Sequence, residues 1–189
     1  MTSHTTGVPV GDRALWGRAA DGDETAFGEL FERHAEAVWN HAYRLTGSWA
    51  AAEDLTSNTF LTAWRRRADV TLVRDSALPW LYTVAGNAAR DEYRGARRRR
   101  LLLRKIPDPP VVSDHADAVA ERLDGERRLR EVVEAVRTLP KAQRTVVELC
   151  LLGDLGTADA AALLAVAEVT VRAHLSRARA RLRTLLEEK

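Results

Sequence analysis

The chain has 189 residues, of which 46% are apolar and 30% are charged, proportions typical of a soluble globular protein and not of a collagen-like or disordered one. Its longest unbroken apolar run, residues 160–167, is far shorter than the roughly 18 residues that a membrane-spanning helix needs. The single cysteine, Cys150, cannot close an internal disulfide, and the chain does not open with a basic segment followed by an apolar stretch. We therefore expect a cytoplasmic protein that does not insert into a membrane.

The charges are unevenly distributed, although the 29 basic and 27 acidic residues nearly cancel. Residues 20–63 hold eight acids against two arginines. Residues 94–105 hold seven bases and residues 169–186 hold five arginines, and neither segment contains an acid. This pattern indicates a polyanion bound at two places and a different partner on an acidic surface.

Apolar residues recur at helical spacing along most of the chain, which predicts an all-α fold. Asp23 and Ser48 have the character of helix N-caps, and Gly47 between them is a C-terminal stop, so two helices are predicted to meet there. After a break at residues 68–75, Pro79 lies in the first turn of a third helix that runs into the first basic segment.

Three prolines in residues 106–113 interrupt the helical pattern and predict a flexible linker between two small helical domains. The predicted division is an N-terminal tail at 1–22 with a short helix near 14–20, a first domain at 23–100, a linker at 101–117 and a second domain at 118–189. Within the second domain we predict helices at about 117–138, 140–152, 157–164 and 169–187.

The last two predicted helices have the layout of a helix-turn-helix. The final helix has an apolar side, with Val171 and Leu175, and a basic side whose arginines suit guanine edges and phosphates. Thr170 is at a position to cap this helix and to approach a phosphate. We expect the groove-facing residues to be Arg172, Ala173, His174, Ser176 and Arg177, with Arg179 and Arg181 on phosphate or solvent. A solvated amphipathic helix with a basic face is the alternative.

The third predicted helix carries Asn87 and Asp91 four residues apart, so they share a face with the following Arg94 and Arg98. By itself this pattern is also that of a polar surface ladder with an Asp91 to Arg94 pair.

Three segments resemble the bacterial extracytoplasmic-function (group 4) sigma factors of RNA polymerase. LPKAQRTVVELCLLGDLGTADAAALLAVAEVTVRAHLSRARARLR is similar to their minus-35-reading domain, with the pattern LPxxQRxVxxLxxxxGLSxxEIAxxLGxxxGTVKSRLxRARxxLR. AFGELFERHAEAVWNHAYRLTGSWAAAEDLTSNTFLTAWRR resembles their polymerase-binding helices, and PWLYTVAGNAARDEYRGARRRR resembles their minus-10-reading helix, WLxxIAxNxxxDxxRxxxR. The resemblance extends over about residues 25–183.

The resemblance implies a sigma factor that directs core RNA polymerase to promoters and assists their opening, with no enzymatic activity, cofactor or metal of its own. It implies minus-35 contacts by Thr170, Arg172, Ala173, His174, Ser176, Arg177 and Arg179. It implies minus-10 contacts by the loop at 68–77 and by Trp80, Asn87, Arg90, Asp91, Arg94 and Arg98, with Trp64 and Tyr93 as further flat surfaces. Tryptophan at helical spacing is more often core, and this holds for Trp80.

The resemblance further implies that the polymerase is contacted at its clamp helices, in the largest subunit, and at its flap region. The clamp-binding residues would be Glu53, Asp54, Leu55, Asn58, Thr59 and Phe60, although Phe60 is equally compatible with an internal position. An anti-sigma protein that holds the factor inactive is a further implied partner.

The chain departs from the family pattern at several positions. Ala165 stands at the helix-turn-helix turn where glycine is usual, so the turn is expected to be strained or rebuilt. Gly86 interrupts the third helix where arginine is frequent.

Other functions remain as alternatives. A free-standing helix-turn-helix regulator, acting as a dimer without polymerase, is the second hypothesis, and an enzyme with a DNA-binding tail is a third that lacks recognisable catalytic residues. His34 and His41 share a helix face but lack the companions of a metal site.

Overall fold

The computed structural model describes residues 10–103 and 118–187, apart from the side chains of residues 97, 100–103 and 118–124. The described residues form eight α-helices and contain no strand, which confirms the all-α prediction. The helices are α1 (Asp12–Ala20), α2 (Glu24–Thr46), α3 (Trp49–Arg66), α4 (Leu78–Leu103), α5 (Ala118–Thr138), α6 (Lys141–Cys150), α7 (Thr157–Leu164) and α8 (Glu168–Glu187). None of these helices is both long and apolar enough to cross a membrane.

The predicted helix boundaries in the first part of the chain are confirmed by their caps. The Asp23 carboxylate accepts a hydrogen bond from the Ala26 N–H at 3.0 Å, and the Ser48 hydroxyl accepts one from the Ala51 N–H at 3.4 Å. Gly47 ends α2 in the left-handed conformation, with φ of 65°, where a residue without Cβ is favoured. Local chemistry therefore determines where α2 ends and α3 begins.

The first module, which we define as α1–α4, includes a helix that the sequence analysis placed in a tail. Leu15 and Trp16 of α1 are buried in the core with Leu30 and Leu81, so residues 12–20 are part of the packed module. The remainder of the module is built by α3 and α4 packing on the long α2. The division predicted at residue 23 therefore lies inside the packed unit, because α1 covers apolar surface that α2 alone leaves open.

Asp12 anchors α1 to the module. Its carboxylate accepts hydrogen bonds from the Arg33 guanidinium at 2.6 Å and from the Ala77 N–H at 2.9 Å, and contacts His34 Nε2 at 2.5 Å. Burial by itself raises the pKa of Asp12, but these hydrogen bonds and the charge of His34 outweigh it and lower that pKa below its usual value. A buried charge held in this way positions α1 on α2 and on the start of α4.

The second module, α5–α8, contains the predicted helix-turn-helix in α7 and α8. Val171, Leu175 and Ala178 bury the inner side of α8, which confirms the predicted apolar side. Ala165 ends α7 in the left-handed conformation with φ of 53°, so a residue with a Cβ occupies a strained backbone position at this turn. The Thr157 hydroxyl donates to the Glu168 carboxylate at 2.5 Å and ties the start of α7 to the start of α8.

The two modules pack against each other. Most of their buried apolar side chains belong to one cluster that spans both modules and includes Tyr82 of α4 and Leu149 of α6, and Leu152, just after α6, packs against it. His41 of α2 stacks on Tyr82 with ring centroids 4.2 Å apart. Most of the predicted linker, residues 104–117, lies outside the described residues, and so do residues 1–9 of the predicted tail.

Candidate nucleic-acid interface

The outer side of α8, opposite its buried residues, is strongly basic. Its exposed side chains are Arg172, Ser176, Arg177, Arg179, Arg181 and Arg183, and we call this surface the α8 face. Arg172 pairs with Glu168 at 2.7 Å, and Arg177 Nε donates to the Ala173 carbonyl at 3.1 Å, so both side chains lie along their own helix. The α8 face thus presents a row of arginines to solvent.

Three of the predicted α8 residues have a different position from the one expected. The helix begins at Glu168, so Thr170 lies in its first turn and is not the capping residue that the sequence suggested. His174 is only partly exposed, and its Nδ1 is buried without a hydrogen-bond partner among the described residues. Ala173 is also partly buried. Among the α8 residues predicted to contact DNA, the arginines and Ser176 are therefore the exposed ones.

The middle of α4 carries the second basic surface. Asn87, Asp91, Arg94 and Arg98 are exposed, and we call them the α4 face. Arg94 forms the expected ion pair with Asp91. Arg90, on an adjoining side of the helix, donates to the side-chain Oδ1 of Asn87 at 2.5 Å and pairs with Glu148 of α6, which leaves it only partly exposed.

The aromatic residues near the α4 face have structural roles. Trp80 is partly buried against the core and makes an edge contact with Trp16, with ring centroids 5.4 Å apart. Trp64 packs on Phe27 and lies under the Arg67 guanidinium. The packing of Trp80 agrees with its helical spacing, and its ring is not a free stacking platform in this structure.

The loop at 68–77 precedes α4 and is held to the module by its buried Leu72 and Ala77. Val73 and Arg74 of this loop are exposed. A small pocket opens between the loop and Trp80, and Asp159 and Leu163 of α7 form its opposite wall. The loop and α4 therefore form one continuous surface at the end of the first module.

The predicted protein-binding residues of α3 divide into an exposed and a buried set. Glu53, Asp54 and Asn58 are exposed. Leu55, Thr59 and Phe60 are buried, and Thr59 donates to the Leu55 carbonyl while Phe60 packs on Phe31. Only the exposed residues are accessible to a partner. The buried residues hold α3 in place and so fix the position of the exposed ones.

Sequence reasoning missed an aromatic cluster beside these acids. Trp49, at the start of α3, is 60% exposed, and its indole N–H donates to Glu53 at 3.0 Å. It makes an edge contact with Trp39, which stacks on Tyr43. Tryptophan is enriched among the residues that contribute most to protein interfaces, and the place of Trp49 at the N-terminal end of α3, outside the apolar stripe, was the signal in the sequence.

The two histidines of α2 contact different neighbours. His34 contacts Asp12, whereas His41 is buried against Tyr82. Burial lowers the pKa of His41 to about 4, and backbone groups of Leu152 and Tyr82 oppose this shift only in part. Within the described residues, no three His, Cys, Asp or Glu side chains come together as a metal site would require.

Comparison with known proteins identifies both modules. The family Sigma-70 region 2 matches residues 30–99, and the family Sigma-70, region 4 matches residues 129–182. The chain is 33% identical over 170 residues to ECF RNA polymerase sigma factor SigL of Mycobacterium tuberculosis, covering 90% of this chain and 94% of the relative. It is 30% identical over 184 residues to RNA polymerase sigma factor NccH of Alcaligenes xylosoxydans xylosoxydans, covering 95% and 96%.

Solved structures show the same fold. CnrH in complex with the cytosolic domain of CnrY aligns with a TM-score of 0.66 and 27% identity, over 94% of this chain and 98% of the other. The sigma factor RpoE in complex with the anti-sigma factor NepR, from Bartonella quintana, aligns with a TM-score of 0.54 and 25% identity, over 85% and 96%.

Proposed function

The chain belongs to the family of extracytoplasmic-function RNA polymerase sigma factors, which direct RNA polymerase to promoters, and from that premise we propose which of its surfaces carries each part of the task. The observation that supports the proposal is the separation of two basic surfaces onto two modules, α4 with its preceding loop on one and α8 on the other. One DNA duplex bound at two stretches requires such a separation. The free-standing regulator is not favoured, because the region 2 match supplies a polymerase-binding module.

We assign minus-35 recognition to the α8 face. Arg172, Ser176 and Arg177 are the base-reading residues, and Arg179 contacts phosphate. Thr170, Ala173 and His174 act closer to the helix start and along its partly buried edge. The exposure of the arginines supports this assignment.

We assign capture of the minus-10 strand to the loop at 68–77 and to the α4 face. Asn87 has the donor and acceptor groups to read a base edge, and Arg90, Arg94 and Arg98 follow the backbone phosphates. Asp91 orients Arg94 through their ion pair. Trp80 supports the loop from within the module.

We assign polymerase binding to Glu53, Asp54 and Asn58 together with Trp49. Their proposed contact is the clamp helices of the polymerase's largest subunit. Leu55, Thr59 and Phe60 hold α3 in the orientation that presents them. The second module is proposed to contact the flap region.

The domains are the first module, a linker at about 104–117 and the second module. The assignment to group 4 is supported by matches to regions 2 and 4 with only residues 100–128 between them.

The protein acts in the cytoplasm, where the polymerase and the DNA are, and supplies no catalytic group. An anti-sigma protein as a partner is supported by the complexes described for CnrH and RpoE.

The decisive experiment mixes the purified chain with core RNA polymerase and a library of promoter fragments. We expect transcripts that start downstream of a shared pair of motifs and that are absent without the chain. Duplex binding by the chain alone, with no polymerase-dependent transcripts, would instead favour the free-standing regulator.

A further inference from the structure

The loop at 68–77 is fastened to α1 at its beginning. The Trp16 indole N–H donates to the carbonyl of Arg67, the residue just before the loop, at 3.1 Å. The Arg67 guanidinium donates in turn to the carbonyl of Ala19 at 2.9 Å and lies over the Trp64 ring, 3.8 Å from its centroid. These contacts fix the point at which the chain leaves α3.

The other end of the loop is fastened to the first turn of α1. The Asp12 carboxylate accepts a hydrogen bond from the Ala77 N–H at 2.9 Å, and Arg13 Nε donates to the Asp75 carboxylate at 2.6 Å. Asp12 is 4% exposed, whereas the side chains of Arg13 and Asp75 are 58% and 83% exposed. The buried hydrogen bond is therefore the stronger tie, because an exposed ion pair contributes little to stability.

Between its two ends the loop has a buried part and an exposed part. Leu72 is buried in the same apolar cluster as Trp16 of α1. Val73 and Arg74 follow it and are exposed, and Arg74 pairs with Asp159 of α7 at 2.6 Å. The helix α1 thus holds both ends of the loop and shares a core with its middle, so that only part of the loop is accessible.

These ties order the loop before DNA arrives. Fixing the backbone of one residue costs about 1–2 kcal/mol, so a loop that became ordered only on binding would lose much of the free energy of its contacts. The four hydrogen bonds join residues that are 48 to 65 positions apart in the sequence. They exist only while α1 is packed on the module, and the order of the loop therefore depends on α1.

We propose that α1 is a positioning element for the minus-10 strand, which keeps the loop at 68–77 in the form that receives an unstacked base. Asp12, Trp16 and Arg67 are the positioning residues, and they act through the loop without contacting DNA. A base that fits the ordered loop gains its contacts without an ordering cost, whereas a base that does not fit leaves the loop unengaged. Order in the loop therefore increases the difference in affinity between the two bases. The inference rests on the proposed function, since it takes this loop as part of the strand-binding surface.

The test compares holoenzymes made from core polymerase and the full chain, either wild type or variant. The first loop variant combines Trp16→Phe with Arg67→Met, which keeps an aromatic ring and an aliphatic side chain but removes the side-chain hydrogen bonds at the beginning of the loop. The second loop variant, Asp12→Ala, removes the acceptor for the Ala77 N–H. The control is Leu30→Val, a change in the core of the same module at a residue that makes none of these hydrogen bonds. Urea unfolding measures how far each change destabilises the chain.

The probe is a fluorescein-labelled promoter fragment with a single-stranded minus-10 segment, chosen from the promoters that the wild-type chain selects from the library. Each base of this segment is removed in turn to give a set of abasic probes. The base-removal penalty is the ratio of the affinity for the intact probe to the affinity for an abasic probe. Both affinities are measured on the same protein, so a smaller folded fraction cancels from the ratio. A purely structural role of α1 therefore leaves the penalty unchanged.

We expect the wild type to have a large penalty at one or more positions and both loop variants to reduce it there about fivefold. This factor corresponds to about 1 kcal/mol, the cost of ordering about one residue. The control should keep the wild-type penalty, and the Trp16→Phe, Arg67→Met variant decides the outcome if Asp12→Ala does not fold.

The inference is overturned if the penalties of the loop variants equal that of the control, or if the wild type has no penalty at any position. Failure of the proposed function gives a different result, because then the wild-type chain yields no promoter-specific transcripts with core polymerase.

Discussion

The two surfaces proposed for DNA differ in how available they are in the free chain. On the α8 face, Arg172 and Arg177 contact only their own helix in the described structure and remain exposed. Beside the α4 face, Arg90 is paired with Glu148 of the other module and Tyr93 lies under Arg137. Suitable residues at suitable spacing are therefore present on both modules, but on the first module the residues nearest the second, Arg90 and Tyr93, are already engaged by it. Whether a basic side chain is exposed for DNA therefore depends on how the two modules pack.

The largest expected effect is a loss of folding stability when His41 is protonated. This histidine lies beneath the contact between the modules and faces Tyr82, Arg44 and Asp154. Its pKa is about 4 in the folded chain and 6.5 in the unfolded reference, so the unfolded state binds more protons between these values. The free energy of unfolding is therefore highest, as far as His41 affects it, above pH 6.5. It falls by up to about 3 kcal/mol as the pH is lowered to 4. Urea unfolding across this range measures the loss.

The control for this prediction is His41→Phe, which keeps a ring on Tyr82 and removes the titrating group. The acids of the chain titrate in both proteins, so the difference between them isolates His41. Equal pH dependence of wild type and variant would contradict a buried neutral histidine under the interface.

The second prediction concerns Gly153, at the turn where the second module meets Tyr82. Gly153→Ala places a Cβ 2.7 Å from the Leu149 carbonyl oxygen, a contact that backbone cannot relieve cheaply. We expect a loss of about 2 kcal/mol in the free energy of unfolding. Gly156→Ala is the matched control, because its Cβ would make an ordinary contact of 3.7 Å with Asp159. Equal thermal stability of the two variants would show that the backbone around residue 153 relaxes enough to accommodate the added Cβ.

The third prediction concerns the α8 face. Arg177→Ala should weaken binding to a cognate minus-35 duplex about tenfold and relax sequence preference at one position, since a base-reading arginine contributes roughly 1–3 kcal/mol. Arg179→Ala should weaken binding evenly across sequences and reduce the salt slope by about one. Lys141→Ala removes an exposed charge from α6 and is the control. Fluorescence anisotropy with the polymerase holoenzyme at several salt concentrations distinguishes these outcomes, and identical behaviour of all three variants would contradict the assignment.

The smallest expected effect is a gain in stability within the helix-turn-helix. Ala165 adopts φ of 53°, which is unfavourable for a residue with Cβ, and its side chain is exposed. Ala165→Gly should therefore raise the free energy of unfolding by about 1 kcal/mol without changing the α8 face. Chemical denaturation measures this, with Ala158→Gly in α7, expected to destabilise, as the opposite control. A loss of stability in Ala165→Gly would mean that the methyl group contributes a contact that outweighs the strain.

Much of the local structure was accessible from the sequence. The ends of α2 and α3 follow from Asp23, Gly47 and Ser48, because capping groups act within three residues along the chain. The inner side of α8 follows from the spacing of Val171 and Leu175. The same spacing was ambiguous for Phe60, which proved to be buried, because an apolar residue beside exposed acids suits either a core or an interface.

Other features depended on long-range contacts or on turn geometry that the sequence pattern does not show. The residues close to Asp12 in the sequence do not indicate that its buried carboxylate accepts hydrogen bonds, since its donor Ala77 is 65 residues away. The position of Thr170 within the first turn of α8 depended on where the turn after Ala165 ended. The exposure of Trp49 depended on how α2 and α3 pack.

The sequence by itself determined the helices, their caps, the order of the two modules and the family to which the chain belongs, because these depend on interactions between residues close in the chain and on motif spacing. Only the tertiary structure decided which basic residues are free. Arg44 and Asp154 are 110 residues apart, and their pairing exists only once both modules have folded and packed. Charge along the chain is a local property, whereas its compensation depends on three-dimensional contact.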